Sequence, residues 1–191
     1  MIISETKGFV FFHIPKTAGA SVRSALDKYK TFGPDDYSHA INKHRIDTLH
    51  INQDIAQTFY NFAHLKQFVF VREPIERLIS LYNYVQKSKR FDSFDEFTKV
   101  VSKHYEKPNA LKNLFNSQLH WITDETKILK YEDLIIDTKK EFSKLDLDIE
   151  KLEVINVTNK SYMPNKTQID VCLTFLKDEY NKLNYDITKW S

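Results

Sequence analysis

Lys16 begins a run of small residues whose chemical types suit the binding of an anion. The run, Lys16–Ser21 (KTAGAS), lets the backbone approach a ligand closely, and Lys16 adds a full positive charge with three donors. Thr17 and Ser21 add hydroxyls of the kind that bridge phosphate oxygens or cap a helix. A helix that starts here contributes its first N–H groups and its dipole at the same point. We therefore expect an anion-binding loop.

A second cationic position has the same setting. Arg72 follows the apolar run Phe68–Val71, and Ser80 comes eight residues after Arg72. Pro74 suits the first turn of a helix that would carry Ser80 on its less apolar face. Two separate positions for gripping an anion suggest a ligand with two separated anionic groups.

The first loop differs from the best-known phosphate loop. A Walker A motif, GxxxxGK[ST], needs a glycine five residues before a Gly-Lys pair, and this chain has no such arrangement before Lys16. The pattern therefore disfavours a P-loop kinase or GTPase.

The elements that must position these residues follow from hydrophobic periodicity and turn signals. Short runs of aromatic and β-branched residues predict strands, and apolar residues at i, i+3, i+4 and i+7 predict helices. Capping-box patterns, Ser or Thr followed three residues later by Glu, predict where some helices begin. The predicted strands are Gly8–Ile14, Arg45–His50, Phe68–Val71, Lys127–Tyr131 and Glu153–Val157. The predicted helices follow Ser21, span Ile51–Tyr60, start at Pro74, open at Ser93, span Asn109–Trp121, start at Thr138 and are capped by Thr167.

Strands that alternate with helices predict an α/β domain with a mainly parallel sheet flanked by helices. In such sheets, ligands bind at the carboxyl ends of the strands. This rule places Lys16, His50 and Arg72 at one edge, together with Glu132 and Asp133. We expect the two acids to cap the next helix, and we expect His13, inside the first strand, to be structural.

Length and composition limit the class of protein. The 191 residues fit one domain spanning residues 1–191, and a net charge of +2 argues against nucleic acid as a partner. The single cysteine, Cys172, excludes an internal disulfide framework, and no apolar run is long enough to span a bilayer. The N-terminal residues do not have the pattern of a secretory signal, so a cytoplasmic protein is expected.

Two stretches carry a resemblance to a known family. HIPKTAGAS resembles the 5′-phosphosulfate loop of sulfotransferases that use 3′-phosphoadenosine 5′-phosphosulfate (PAPS), and FVFVREPIERLISLYNY resembles their 3′-phosphate motif. The likeness is greatest to the carbohydrate-directed group, which includes heparan sulfate 2-O-sulfotransferases and bacterial relatives. Weaker similarity continues through ILKYEDL and NKSY. The resemblance implies a P-loop-like three-layer fold and a compact bacterial enzyme.

The resemblance also implies roles for individual residues. Lys16 would hold the 5′-phosphosulfate and neutralise charge on the bridging oxygen as the sulfuryl group leaves. Arg72, through its planar fork, and Ser80 would bind the 3′-phosphate. PAPS would be the sulfuryl donor, a hydroxyl on a saccharide or small metabolite the acceptor, and no metal is expected. The remaining donors in the loop would come from Thr17, Ala18, Gly19, Ala20 and Ser21.

In this family a histidine or carboxylate between the two motifs often takes the proton of the acceptor hydroxyl. Histidine suits the task because its ordinary pKa is near ~6.5. His50 is the first candidate, since it would end a strand at the catalytic edge, and His44 is the second. His39 and His64 also lie between the motifs, His64 near the start of the following strand and thus at the opposite edge.

Two other functions stay open at this stage. An atypical kinase using ATP would need a magnesium-binding acid after a strand, and Asp133 is the one candidate. A binding module could keep the nucleotide pocket without catalysis.

Overall fold

The computed structural model describes residues 1–33, 48–107, 113–149, 152 and 162–190. Some predictions fall outside the described residues: the candidate base His44, the neighbouring His39, the predicted strand Glu153–Val157, and the first three residues of the NKSY segment. The strands are β1 (Ile2–Ser4), β2 (Phe9–Phe12), β3 (Lys66–Val71) and β4 (Thr126–Lys130). The α-helices are α1 (Gly19–Leu26), α2 (Gln53–Gln57), α3 (Pro74–Val85), α4 (Phe94–Glu106), α5 (Leu134–Ser143) and α6 (Lys166–Leu183).

The four strands form one sheet in the order β1-β2-β3-β4. β2, β3 and β4 are parallel, with Phe12 paired with Val69 and Val71 paired with Lys130. This arrangement confirms the α/β class with a mainly parallel sheet. β1 is antiparallel to β2, and it was not predicted because three residues are too few for a periodic signal.

Helices cover both faces of the sheet, because side chains alternate along each strand. On one face, the rings of Phe9, Phe11, Phe68 and Phe70 pack against apolar residues of α1 and α5. On the other face, alternate residues of the same strands pack against α2, the end of α6 and a fully buried Trp121: Val10, Phe12, Val69 and Val71. The result is a three-layer domain.

A further apolar cluster joins three helices beside the sheet. Residues of α3, α4 and α6 bury a common set of aromatic and aliphatic side chains, and α3 is the shared member. The apolar stripe predicted for α3 is buried throughout, comprising Ile75, Leu78, Ile79, Tyr82 and Val85. In the part of the chain that the structure describes, no helix combines the length and the apolar character that crossing a bilayer requires.

Several predicted element boundaries were wrong. Thr48–His50 form a turn, not the end of a strand, and the described part of the predicted helix Asn109–Trp121 consists of two 3₁₀ turns, Asn113–Phe115 and Gln118–Trp121. Thr138 lies in the middle of α5, which begins at Leu134 after a 3₁₀ turn, Tyr131–Asp133, that follows β4. Asn165, not Thr167, caps α6.

Candidate functional site

The carboxyl ends of β2 and β3 lie next to each other because the two strands are adjacent and parallel. The chain leaves β2 into residues 13–18 and leaves β3 into Arg72 and Glu73, each loop leading directly into a helix. The two predicted anion-binding positions are therefore neighbours at one edge of the sheet.

The loop after β2 has an unusual backbone. Lys16 and Ala18 both adopt left-handed conformations, with φ of 70° and 61°. Ala18 is the N-cap residue of α1 but makes no side-chain cap. The Thr17 hydroxyl is buried and donates to the Ile14 carbonyl at 2.9 Å, so it already holds the loop together. Non-glycine residues in this conformation are strained, and such strain is concentrated at functional sites.

Gly19 is required where α1 starts because His13 lies directly beneath it. A Cβ atom built on Gly19 would come within 1.7 Å of His13 Cδ2. The His13 ring is buried, and its centroid is 4.6 Å from that of His50. Burial is the main reason that the pKa of His13 lies well below its ordinary value, and the charges of His50 and Lys16 lower it further. A neutral imidazole thus supports the first turn of the helix.

Lys16 is half-buried, and its ammonium lies over the ring of Tyr84, with Nζ 4.6 Å from the ring centroid. Burial lowers the pKa of Lys16 below its ordinary value, and the positive charges of Arg72 and Lys87 lower it further. The charge of Lys16 is therefore disfavoured both by burial and by two other cations. A bound anion would favour the charged form of Lys16 and so offset the loss of hydration that burial causes.

Arg72 is fixed on several sides. Its guanidinium stacks on the ring of Tyr131, with Cζ 4.4 Å from the centroid, and one terminal nitrogen lies 3.5 Å from Glu76 Oε2. Its backbone N–H and carbonyl are both bound by the side-chain amide of Gln118, at 2.9 and 2.8 Å. Arg72 Nε is buried and has no hydrogen-bond partner among the residues that the structure describes.

One face of α3 connects the two cations. Glu76, Ser80 and Tyr84 are spaced four residues apart and so lie along one face of the helix. Arg72 contacts Glu76 at one end of this row, and Lys16 contacts Tyr84 at the other end. The two ends are about 12 Å apart along the helix axis. Ser80, partly exposed, lies between them.

The structure brings His50 to this edge by a route that the sequence did not indicate. Its carbonyl accepts hydrogen bonds from Asn113 Nδ2 at 2.8 Å and from the indole N–H of Trp121 at 3.2 Å. His50 therefore lies in an anchored turn, beside His13. His64 pairs with Glu5 instead, two residues before β3 begins and thus at the opposite edge.

The two acids after β4 do not act as the predicted helix caps. Asp133 is the N-cap residue of α5 but makes no side-chain capping bond. Glu132 accepts the backbone N–H of Glu73 at 2.9 Å and the hydroxyl of Tyr185 at 2.7 Å, so it holds the loop of Arg72. A cap was expected because Asp is a favoured N-cap residue and acidic side chains are favourable near a helix N-terminus. The Glu132 carboxylate instead finds a donor in the neighbouring loop.

Sequence reasoning missed the side chains that hold both loops. Arg77 donates to the Pro15 carbonyl at 3.0 Å, and Gln118 binds the backbone of Arg72 as described above. No local pattern marks either residue, because arginine and glutamine are usually exposed and their partners here lie 62 and 46 residues away. The one available signal is that Arg77 stands beside the buried stripe of α3.

The model of the sulfotransferase family matches residues 1–177. The searches of curated proteins and of solved structures returned no match. Since the family model covers most of the chain, the protein belongs to the sulfotransferase family.

Proposed function

We propose that this protein transfers the sulfuryl group of PAPS to an acceptor hydroxyl. The observation that carries the proposal is the placement of Lys16 and Arg72 at the two ends of one face of α3. A donor with a 5′-phosphosulfate and a 3′-phosphate has two anionic groups joined by a nucleoside, and it could engage both cations at once.

The residues present fit the two ends of this donor. At the 5′ end, the strained loop after β2 and the first turn of α1 supply backbone N–H groups, and Lys16 supplies a charge. At the 3′ end, Arg72 has a buried Nε with no acceptor among the described residues, which a phosphate oxygen would satisfy. Ser80 would add a hydroxyl on the same face of α3.

The chemistry assigned to these residues is a single displacement at sulfur. The acceptor oxygen forms a bond to sulfur, the bond from sulfur to the bridging oxygen of the 5′-phosphate breaks, and adenosine 3′,5′-bisphosphate leaves. Lys16 neutralises the charge that develops on the bridging oxygen. His50 is the base that takes the acceptor proton, a role supported by its position beside His13 and the helix start.

The class of acceptor rests on the resemblance of the two motifs to the carbohydrate-directed group. We propose a hydroxyl on a saccharide, with a small metabolite as the alternative. Transfer of radiolabelled sulfate from PAPS to a panel of saccharides and small alcohols tests this assignment. Labelling of the small alcohols alone would exclude a saccharide acceptor. The bacterial, cytoplasmic setting stays a prediction from the sequence.

Calorimetric titration with adenosine 3′,5′-bisphosphate and, separately, with ATP tests the donor. We expect the bisphosphate to bind more tightly, and Arg72→Ala to weaken its binding by about 10- to 100-fold, since a charged hydrogen bond is lost. Lys7→Ala is the control, because this substitution also removes one positive charge, at a position where Lys7 pairs with Asp146. Tighter binding of ATP would favour a kinase instead.

Turnover assays separate an enzyme from a binding module. Lys16→Ala should lower kcat by about 100-fold or more, and His50→Ala should lower it by about 10²- to 10⁴-fold. His64→Ala is the matched control, because it removes a histidine at the opposite edge. Bisphosphate binding with no sulfate transfer to any acceptor would indicate a module without catalysis.

A further inference from the structure

A chain of buried polar side chains runs through the interior between the two loops, and the proposed chemistry does not use it. It begins at Arg77, whose side chain is 2% exposed. Arg77 Nε donates to the Pro15 carbonyl at 3.0 Å, and one terminal nitrogen donates to the Asn116 carbonyl at 3.0 Å. One end of this row of hydrogen-bonded side chains therefore binds Pro15, the residue directly before Lys16.

Tyr105 continues the chain from α4. Its hydroxyl accepts a hydrogen bond from the remaining terminal nitrogen of Arg77 at 3.2 Å and donates to Glu179 Oε1 at 3.0 Å. Burial, together with the nearby carboxylate of Glu179, raises the pKa of Tyr105 well above its ordinary value, so the hydroxyl keeps its proton. The tyrosine thus bridges a buried cation and a buried carboxylate.

Glu179, on α6, connects the bridge to the second loop. It is 1% exposed, and its oxygens accept from the Ser117 hydroxyl at 2.7 Å, the Gln118 backbone N–H at 2.6 Å and Gln118 Nε2 at 3.0 Å. The same Gln118 amide binds both backbone groups of Arg72. The other end of the chain therefore holds the residue that carries the second cation.

We propose that Arg77, Tyr105, Glu179 and Gln118 are positioning residues that fix the spacing of the two anion-binding loops. Arg77 and Gln118 bind the backbone of the two loops, and Tyr105 and Glu179 join Arg77 to Gln118. As positioning residues, none of the four is assigned a contact with the ligand. The inference rests on the proposed function, since it assumes a ligand that engages both loops at once. No local sequence signal points to it, because the four residues come from four separate elements: α3, α4, the 3₁₀ turn Gln118–Trp121 and α6.

The physical reason is that a ligand with two anionic groups gains affinity when its second contact is already in place. Loops held at a fixed spacing bind the second phosphate without a further cost of ordering. Loops that move independently still bind each phosphate singly but lose this advantage. Removing one member of this hydrogen-bonded network destabilises the protein, because a buried arginine or carboxylate without its partner is desolvated and unpaired.

The test compares one ligand that spans both loops with two that do not. Binding of adenosine 3′,5′-bisphosphate, adenosine 3′-monophosphate and adenosine 5′-monophosphate is measured by calorimetry for wild type and Tyr105→Phe. We expect the variant to bind the bisphosphate about tenfold more weakly, the size of a typical coupling between two sites. Its affinity for each monophosphate should change by less than about twofold, since neither ligand depends on that coupling.

Tyr29→Phe is the matched control. The substitution also removes a tyrosine hydroxyl that makes two hydrogen bonds. The Tyr29 hydroxyl accepts from the Asp148 N–H and donates to the Asp148 carbonyl, away from both loops. It should leave all three affinities unchanged. Glu179→Gln, which preserves the side-chain shape, is measured beside Tyr105→Phe and should give the same pattern even if the first variant folds poorly.

Three results would overturn the inference. Equal loss of affinity for all three ligands would mean that the side chains serve folding alone, and unchanged bisphosphate affinity would mean that they do not set the spacing. In both cases wild-type binding of the bisphosphate would leave the proposed function standing. Wild-type protein that binds none of the three ligands would overturn the proposed function and the inference together.

Discussion

At the scale of single residues, the loop after β2 is held in a conformation that its side chains do not favour. Lys16 and Ala18 both have positive φ, and neither is glycine. The surrounding bonds enforce this geometry, because Arg77 holds the Pro15 carbonyl and the Thr17 hydroxyl holds the Ile14 carbonyl. The protein's own bonds thus hold the loop in this shape, at a cost in stability.

Substitution of Ala18 by glycine should therefore make the protein more stable. Glycine adopts the left-handed conformation readily, and we expect Ala18→Gly to raise the free energy of unfolding by about 1 kcal/mol. Ala20→Gly is the control, because Ala20 lies within α1 and glycine there should lower stability by about 0.5 to 1 kcal/mol. Urea unfolding measures both, and loss of stability in both variants would contradict the account of strain.

The sequence could place Lys16 and Arg72 after neighbouring strands, but it could not identify the residues that support them. Lys16 and Arg72 are recognisable because each follows an apolar strand and precedes a helix. Arg77 and Gln118 have no such marker, and the Gln118–Arg72 contact depends on residues 46 positions apart. Local patterns predict which residues lie at the edge of the sheet. Which side chains hold them there depends on contacts between residues that are far apart in the sequence.

At the scale of elements, the parallel strands and the helix after β3 were predictable because their apolar patterns are strong. Helix starts were harder. Ser93 caps α4 as predicted, whereas Thr138 fits the same capping pattern but lies within α5, almost fully buried. A four-residue pattern recurs by chance, and burial of an apolar stripe that begins at Leu134 decides where α5 starts.

The cap of α6 gives a direct check on this point. The Asn165 side chain accepts from the Gln168 N–H at 3.0 Å, and the Gln168 side chain accepts from the Asn165 N–H at 3.1 Å. Asn165→Ala should lower the free energy of unfolding by about 1 kcal/mol. Thr167→Ala, at the exposed position that the sequence favoured, should change it by less than about 0.5 kcal/mol. Chemical denaturation of both variants measures the two changes in the free energy of unfolding. A larger decrease for Thr167→Ala would mean that Thr167, and not Asn165, caps α6.

At the scale of the whole molecule, the last residues of the described chain close over the second loop. Tyr180 and Trp190 donate to the carboxylate of Glu73, and Lys189 lies 3.9 Å from Glu76. Part of this support comes from beyond residue 177, where the match to the family model ends. The edge of the sheet therefore depends on segments from almost the entire length of the chain.

His13 makes the stability of the whole protein depend on pH, because it is a titratable side chain buried between the start of α1 and His50. The pKa of His13 lies well below its ordinary value in the folded protein, chiefly through burial. In the unfolded chain the residue binds a proton below pH ~6.5, so unfolding takes up a proton in that range. Stability from this group is present above pH ~6.5 and is lost as the pH falls.

We expect the free energy of unfolding of the wild type to fall below pH ~6.5 more steeply than that of His13→Gln, by up to about 1.4 kcal/mol per pH unit. Glutamine cannot titrate, so the difference in slope isolates this one group, even if the variant is less stable at every pH. Urea unfolding between pH 7.5 and 5 (about one unit above to somewhat more than one unit below that pKa) measures both slopes. Equal slopes would mean that His13 already binds its proton in the folded protein, and the neutral imidazole beneath Gly19 would then have to be replaced by a charged one.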